Sequence, residues 1–72
     1  MTDRVYAVTE VVGTSRTSVE AAIHNAIETA AQTLRDLEWF EVTETRGHIE
    51  GGKVAHFQVA LKIGFHYQKQ AK

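Results

Sequence analysis

From Lys53 to Tyr67 the chain alternates for fifteen positions, and this run limits the folds open to it. Successive side chains of a strand point to opposite sides of the sheet. Ala55, Phe57, Val59, Leu61, Ile63, Phe65 and Tyr67 therefore make one apolar face, and Val54, His56, Gln58, Ala60, Lys62, Gly64 and His66 make the other. Strands usually run 3–10 residues. At about 3.3 Å per residue it outruns the roughly 30 Å of a 20-residue helix, so it is expected to bend, at Gly64, and wrap around the helix.

The helix is marked by Thr17-Ser18-Val19-Glu20, which fits a capping box with Thr17 as the N-cap. Val19, Ala22, Ile23, Ala26, Ile27, Ala30, Ala31 and Leu34 then recur at spacings of three and four, one apolar stripe of helical period that predicts an end near Leu37. His24, Asn25, Glu28, Thr29, Gln32 and Arg35 fall outside the stripe and read as a solvated face. Before the helix, Val5 to Val12 reads as a strand broken by Gly13-Thr14-Ser15, and Met1 to Arg4 as a frayed start. After it, Trp39 to Arg46 alternates as a second strand, and Gly47 to Gly52 is a glycine-punctuated hairpin connection. Gln68 to Lys72 reads as a polar tail.

This order, β-α-β-β, predicts an α+β fold. The hairpin makes the last two strands antiparallel, and the helical crossover makes the first two parallel. Placing the long strand between them makes every pairing antiparallel and gives a three-stranded sheet of order 1-3-2. The helix then covers the face of Phe57, Val59, Leu61, Ile63, Phe40 and Val42. The opposite face, with Trp39, Gln58, His56, Tyr6 and Val8, is not plainly polar, and both outer strands remain open edges.

Seventy-two residues predict one domain, 1–72. Eight Lys and Arg against nine Asp and Glu leave no basic field for nucleic acid or an anionic membrane. The absence of cysteine excludes disulfides, a thiol nucleophile and Cys-based zinc. No apolar run reaches the roughly 18 residues of a membrane span and no signal-peptide pattern opens the chain, which predicts a cytoplasmic protein. Chains this short rarely complete a core alone. Self-assembly is the expected remedy.

Trp39 is the sole tryptophan, and the alternation sets it with Glu41, Thr43 and Thr45 on the face away from the helix. Such an indole is either interface filler in a homo-oligomer or a stacking surface for a ligand. Gln58 shares its face and offers one acceptor beside two donors. Together they suit a planar heteroaromatic ligand with an imide-like edge. Arg46 and His66 stand near strand ends within reach of a phosphate tail. No Ser/His/Asp set, glycine-rich phosphate loop or poised carboxylate pair supports catalysis. Of the four histidines only His48, His56 and His66 could approach one another, without metal-site spacing, so no metal site is expected.

These residues resemble the dodecin family from Tyr6 to about Tyr67. The carriers are Val11-Val12-Gly13-Thr14-Ser15, Ala31-Gln32-Thr33-Leu34-Arg35, Leu37-Glu38-Trp39-Phe40-Glu41-Val42, Arg46-Gly47-His48, Phe57-Gln58-Val59 and Gly64-Phe65. The resemblance implies a curved antiparallel sheet wrapping one helix, assembled as a hollow homododecamer that binds flavin (FMN or riboflavin) without enzymatic activity. It implies paired flavins between symmetry-related copies of Trp39, the pyrimidine edge read by Gln58, and the FMN phosphate held by Arg46. Where some members carry a second arginine, this chain has His66. Some relatives bind coenzyme A through basic residues, but Ala7, Val8, Thr29 and Gln32 stand in the corresponding stretch, which makes coenzyme A a weak expectation.

Overall fold

A computed structural model describes residues 3–67, so the expectations for Met1, Thr2 and the polar tail lie outside the described residues. The chain runs β1 (Tyr6–Ser15), α1 (Val19–Ala30), β2 (Leu37–Glu50) and β3 (Lys53–His66). The sheet has the expected order β1-β3-β2, with both pairings antiparallel. The element order foretold this, since both pairings are antiparallel only when β3 is central.

Helix α1 starts one residue later than the capping box predicts. Ser18, not Thr17, is the N-cap, and its Oγ accepts the Ala21 N–H at 3.0 Å. The N–H groups of both Thr17 and Ser18 donate to Ser15 Oγ, at 2.9 and 3.5 Å, a hydroxyl-closed turn that forms the entry to the helix. The helix also ends earlier, at Ala30 rather than near Leu37. Gln32 and Thr33 donate to the carbonyls of Thr29 and Ala30, tightening the last turn. Asp36, at φ 61°, then swings the chain into β2.

Strand β1 is not broken at Gly13 but continues to Ser15. Gly13 is buried where the helix comes closest: a Cβ there would lie 2.2 Å from the Ala22 carbonyl oxygen and 2.8 Å from Ala26 Cβ. The alanines of the stripe and the missing side chain of Gly13 thus allow one close contact between helix and strand. Ala22, Ala26 and Ala30 pack with Val59, Leu61 and Ile63 to form the core, bordered by Val11, Val19, Ile23, Ile27, Leu34 and Leu37.

Strand β2 is longer than the predicted Trp39–Arg46, and the connection shrinks to Gly51-Gly52, whose φ of 60° and 76° suit a two-residue hairpin turn. The expectation that α1 covers Phe40 and Val42 fails, since these remain 47 % and 40 % exposed. A helix of 12 residues seated on β1 and β3 does not reach across to β2, along which every residue after Leu37 is exposed. The described chain extends 57 × 20 × 15 Å with a radius of gyration of 15.2 Å. A compact domain of this length has a radius near 11 Å. A long two-stranded arm therefore projects beyond the small core.

Candidate functional site

The site is set by three irregularities in the β2–β3 register, between Leu37 and Trp39, Val42 and Glu44, and His48 and Ile49. At the first two, an extra residue on β2 reverses which face the following side chains occupy. Leu37 pairs with Phe65 on the helix side, while Trp39 pairs with Gly64 on the opposite side. The second irregularity falls at Thr43, whose Oγ1 donates to the Ala60 carbonyl at 3.1 Å. Beyond it Glu44, Arg46 and His48 pair with Ala60, Gln58 and His56, joining the face of Gln58. Strict alternation had placed Thr43 and Thr45 there; the bulge exchanges them for Glu44, Arg46 and His48.

The face carries two clusters. Around Trp39, the indole lies on Gly64, where a Cβ would meet its Cε2 at 2.0 Å and Cζ2 at 2.3 Å. Tyr6 meets its edge, with centroids 6.1 Å apart and planes at 70°. The Tyr6 hydroxyl donates to Glu38 Oε1 at 2.8 Å, and Arg4 pairs with the same carboxylate. That hydrogen bond holds the Tyr6 phenol above its ordinary pKa of 10.0, because the neutral form is the donor. The indole is 40 % exposed. One of its faces rests on backbone, and part of its surface stays open. Nothing in composition signals this seat; only the pairing of a glycine with the tryptophan does.

The second cluster holds Gln58, Arg46, His48, His56 and Glu44. Gln58 stands directly across from Arg46, and its Oε1 lies 3.3 Å from His48 Nε2. His48 stacks on His56 with centroids 4.4 Å apart. His66 does not join them. It pairs with Tyr6 at the Trp39 end of the sheet, and its N–H donates to the Asp36 carbonyl at 3.0 Å. Arg46 pairs with Glu44 at 2.6 Å.

The structure does not bring Trp39 and Gln58 of one chain together. Trp39 is opposite Gly64, six residues along β3 from Gln58, about 20 Å at the strand's rise. Arg46 accompanies Gln58, and His66 accompanies Trp39.

Across residues 5–68 the chain matches the family model described as Dodecin. It belongs to the dodecin family. It is 47 % identical over 66 residues to the dodecin of Thermus thermophilus, a match covering 92 % of this chain and 96 % of that one. The structure of dodecin from Streptomyces coelicolor superimposes with a TM-score of 0.91 at 56 % identity, covering 97 % of this chain and all of that one. The calcium dodecin of Mycobacterium tuberculosis, a calcium-chelating antigen, is a more distant neighbour, with a TM-score of 0.77, 28 % identity, and 94 % and 97 % of the two chains covered. Among the described residues here, no three His, Cys, Asp or Glu side chains are grouped to hold a metal ion. No helix among them is long and apolar enough to cross a membrane. A separate open groove between α1 and β1, lined by Thr29 and Gln32 among others, has no lysine or arginine in its lining to meet the phosphates of coenzyme A.

Proposed function

We propose that this dodecin binds flavin (FMN or riboflavin) non-enzymatically in a cytoplasmic homododecamer, storing it and limiting its photochemistry. The observation that carries the reading is the Trp39 indole seated on Gly64 with an open surface, on a sheet face that also bears Gln58. A tricyclic ring stacks on such a plate, and a primary amide matches its imide edge with an acceptor and donors. Because the two residues are farther apart in one chain than such a ring is long, the pocket needs two copies. Trp39 of one copy supplies the stacking surface and Gln58 of another reads the edge. Arg46, beside Gln58, offers a forked donor set to the phosphate of FMN, while His66 stays with the Trp39 end.

The assembly has a physical motive in the chain itself. Val8, Val12, Phe40, Val42, Ile49 and Val54 are exposed, and β1 and β2 are open edges. Closed symmetry removes both. Bound flavin would bring light absorption and redox chemistry. The chain's part is to hold the ring against Trp39, an electron-rich indole that quenches an excited neighbour on contact. The carboxylate nearest Trp39, that of Glu38, is already engaged by the Tyr6 hydroxyl and by Arg4, which favours storage over turnover.

An absorbance spectrum of the purified protein, with mass spectrometry of any released ligand, tests the reading. A yellow protein releasing FMN or riboflavin, near 96 kDa by light scattering (twelve chains of 8.0 kDa), is expected. A colourless assembly that takes up no added flavin would assign Trp39 to interface filling instead.

A further inference from the structure

Arg46 is not presented bare to a phosphate. The bulge pinned by Thr43 puts Glu44 on the same face, and its Oε2 lies 2.6 Å from Arg46 Nη2. We propose that Glu44 is the residue that sets the preference of this site between phosphorylated and unphosphorylated flavins, by contesting the Arg46 fork. The inference rests on the flavin reading above and assigns a role to a residue that reading does not use.

The argument is electrostatic. A guanidinium offers five donors in a plane, enough to serve a carboxylate and part of a phosphate at once. A phosphate monoester carries about −1.5 to −2 charge at neutral pH. Placed on the free donors of Arg46 it stands within a few ångströms of the Glu44 carboxylate, and like charges there repel. Riboflavin has no such group and is indifferent to Glu44. Directly opposite Glu44 on β3 is Ala60, and opposite Arg46 is Gln58, so neither cross-strand neighbour offsets the carboxylate. Both side chains of the pair are more than half exposed, 55 % for Arg46 and 57 % for Glu44. An exposed ion pair is weak enough for a doubly charged competitor to displace. Glu44 therefore lowers the advantage of FMN over riboflavin without abolishing it.

The test uses the full chain in its native assembly, with FMN and riboflavin each titrated by fluorescence quenching against the wild type and Glu44→Gln. Glutamine keeps the shape and removes the charge. FMN is expected to bind about tenfold tighter to the variant, with riboflavin unchanged, and added salt should narrow the gap by screening. Glu44→Ala, which removes the group altogether, is expected to give the same ranking. Equal changes for both flavins would make Glu44 a structural residue, and weaker FMN binding would make it the group that orients Arg46; either overturns the inference. Wild-type protein that binds neither flavin refutes the flavin reading itself and takes this inference with it, a result distinct from a wild type that binds both and a variant that does not discriminate.

Discussion

Replacing Gly64 by alanine asks whether the indole of Trp39 has a fixed seat. The backbone at Gly64 is not in the left-handed region, so alanine itself is tolerated there, yet its Cβ would lie 2.0–2.5 Å from three atoms of the ring. The ring must leave. An aromatic side chain buries about 150–250 Å², and with Trp39 40 % exposed, about three-fifths of that is covered here. At ~25 cal/mol per Å² the covered surface is worth about 2–4 kcal/mol. Tyr6 shares the ring with Gly64, so losing the glycine seat costs about 1–2 kcal/mol by the same coefficient. Against this, alanine restricts the unfolded chain and returns about 0.4–1 kcal/mol. Gly64→Ala should therefore destabilise by up to ~1.5 kcal/mol in the native background, and stabilise by about 0.4–1 kcal/mol where Trp39 is already alanine. Urea unfolding followed by far-ultraviolet circular dichroism, at one protein concentration because assembly contributes, gives all four corners of the cycle. The same sign and size in both backgrounds would refute the seat.

Trp39→Ala should leave the core of Val59, Leu61 and Ile63 intact and reduce flavin affinity at least a hundredfold, roughly 2.7 kcal/mol; a variant that still quenches flavin fluorescence with near-native affinity would make the indole filler. Arg46→Ala should weaken FMN more than riboflavin, and the difference should shrink with salt; equal losses measured by titration would assign Arg46 to structure. Gly13→Ala drives a Cβ into the Ala22 carbonyl, and since helix backbone cannot rotate away as a side chain can, a loss of about 1–3 kcal/mol is expected; an unchanged thermal midpoint would mean that α1 and β1 do not lie so close.

The elements whose signal is local were legible. The spacing of Val19 through Leu34 marked one helix, the long alternation marked β3, and the order β1-β3-β2 followed because only a central β3 makes every pairing antiparallel. What stayed hidden was whatever depends on two segments meeting. Gly13 reads as a chain break, yet it is the point of closest helix approach. Ser18 and Thr17 are both good caps, and a one-residue difference in where the helix begins leaves no mark in the pattern. The bulge at Thr43 leaves no compositional trace, because it is a matter of how many residues of β2 oppose one of β3. Period two therefore placed Trp39 and Gln58 on their shared face and gave no account of how Glu44, Arg46 and His48 reach it. It also could not show that Trp39 and Gln58 belong to opposite ends.

That separation has a genetic corollary. If a pocket draws its stacking plate from one chain and its amide from another, a chain lacking Trp39 and a chain lacking Gln58 are defective in different halves. Neither variant alone has a complete pocket. Refolded or expressed together, they form mixed shells in which some pockets pair the intact Trp39 of one with the intact Gln58 of the other. Two inactive alleles would then complement each other, and colour would return to a mixture of two colourless proteins.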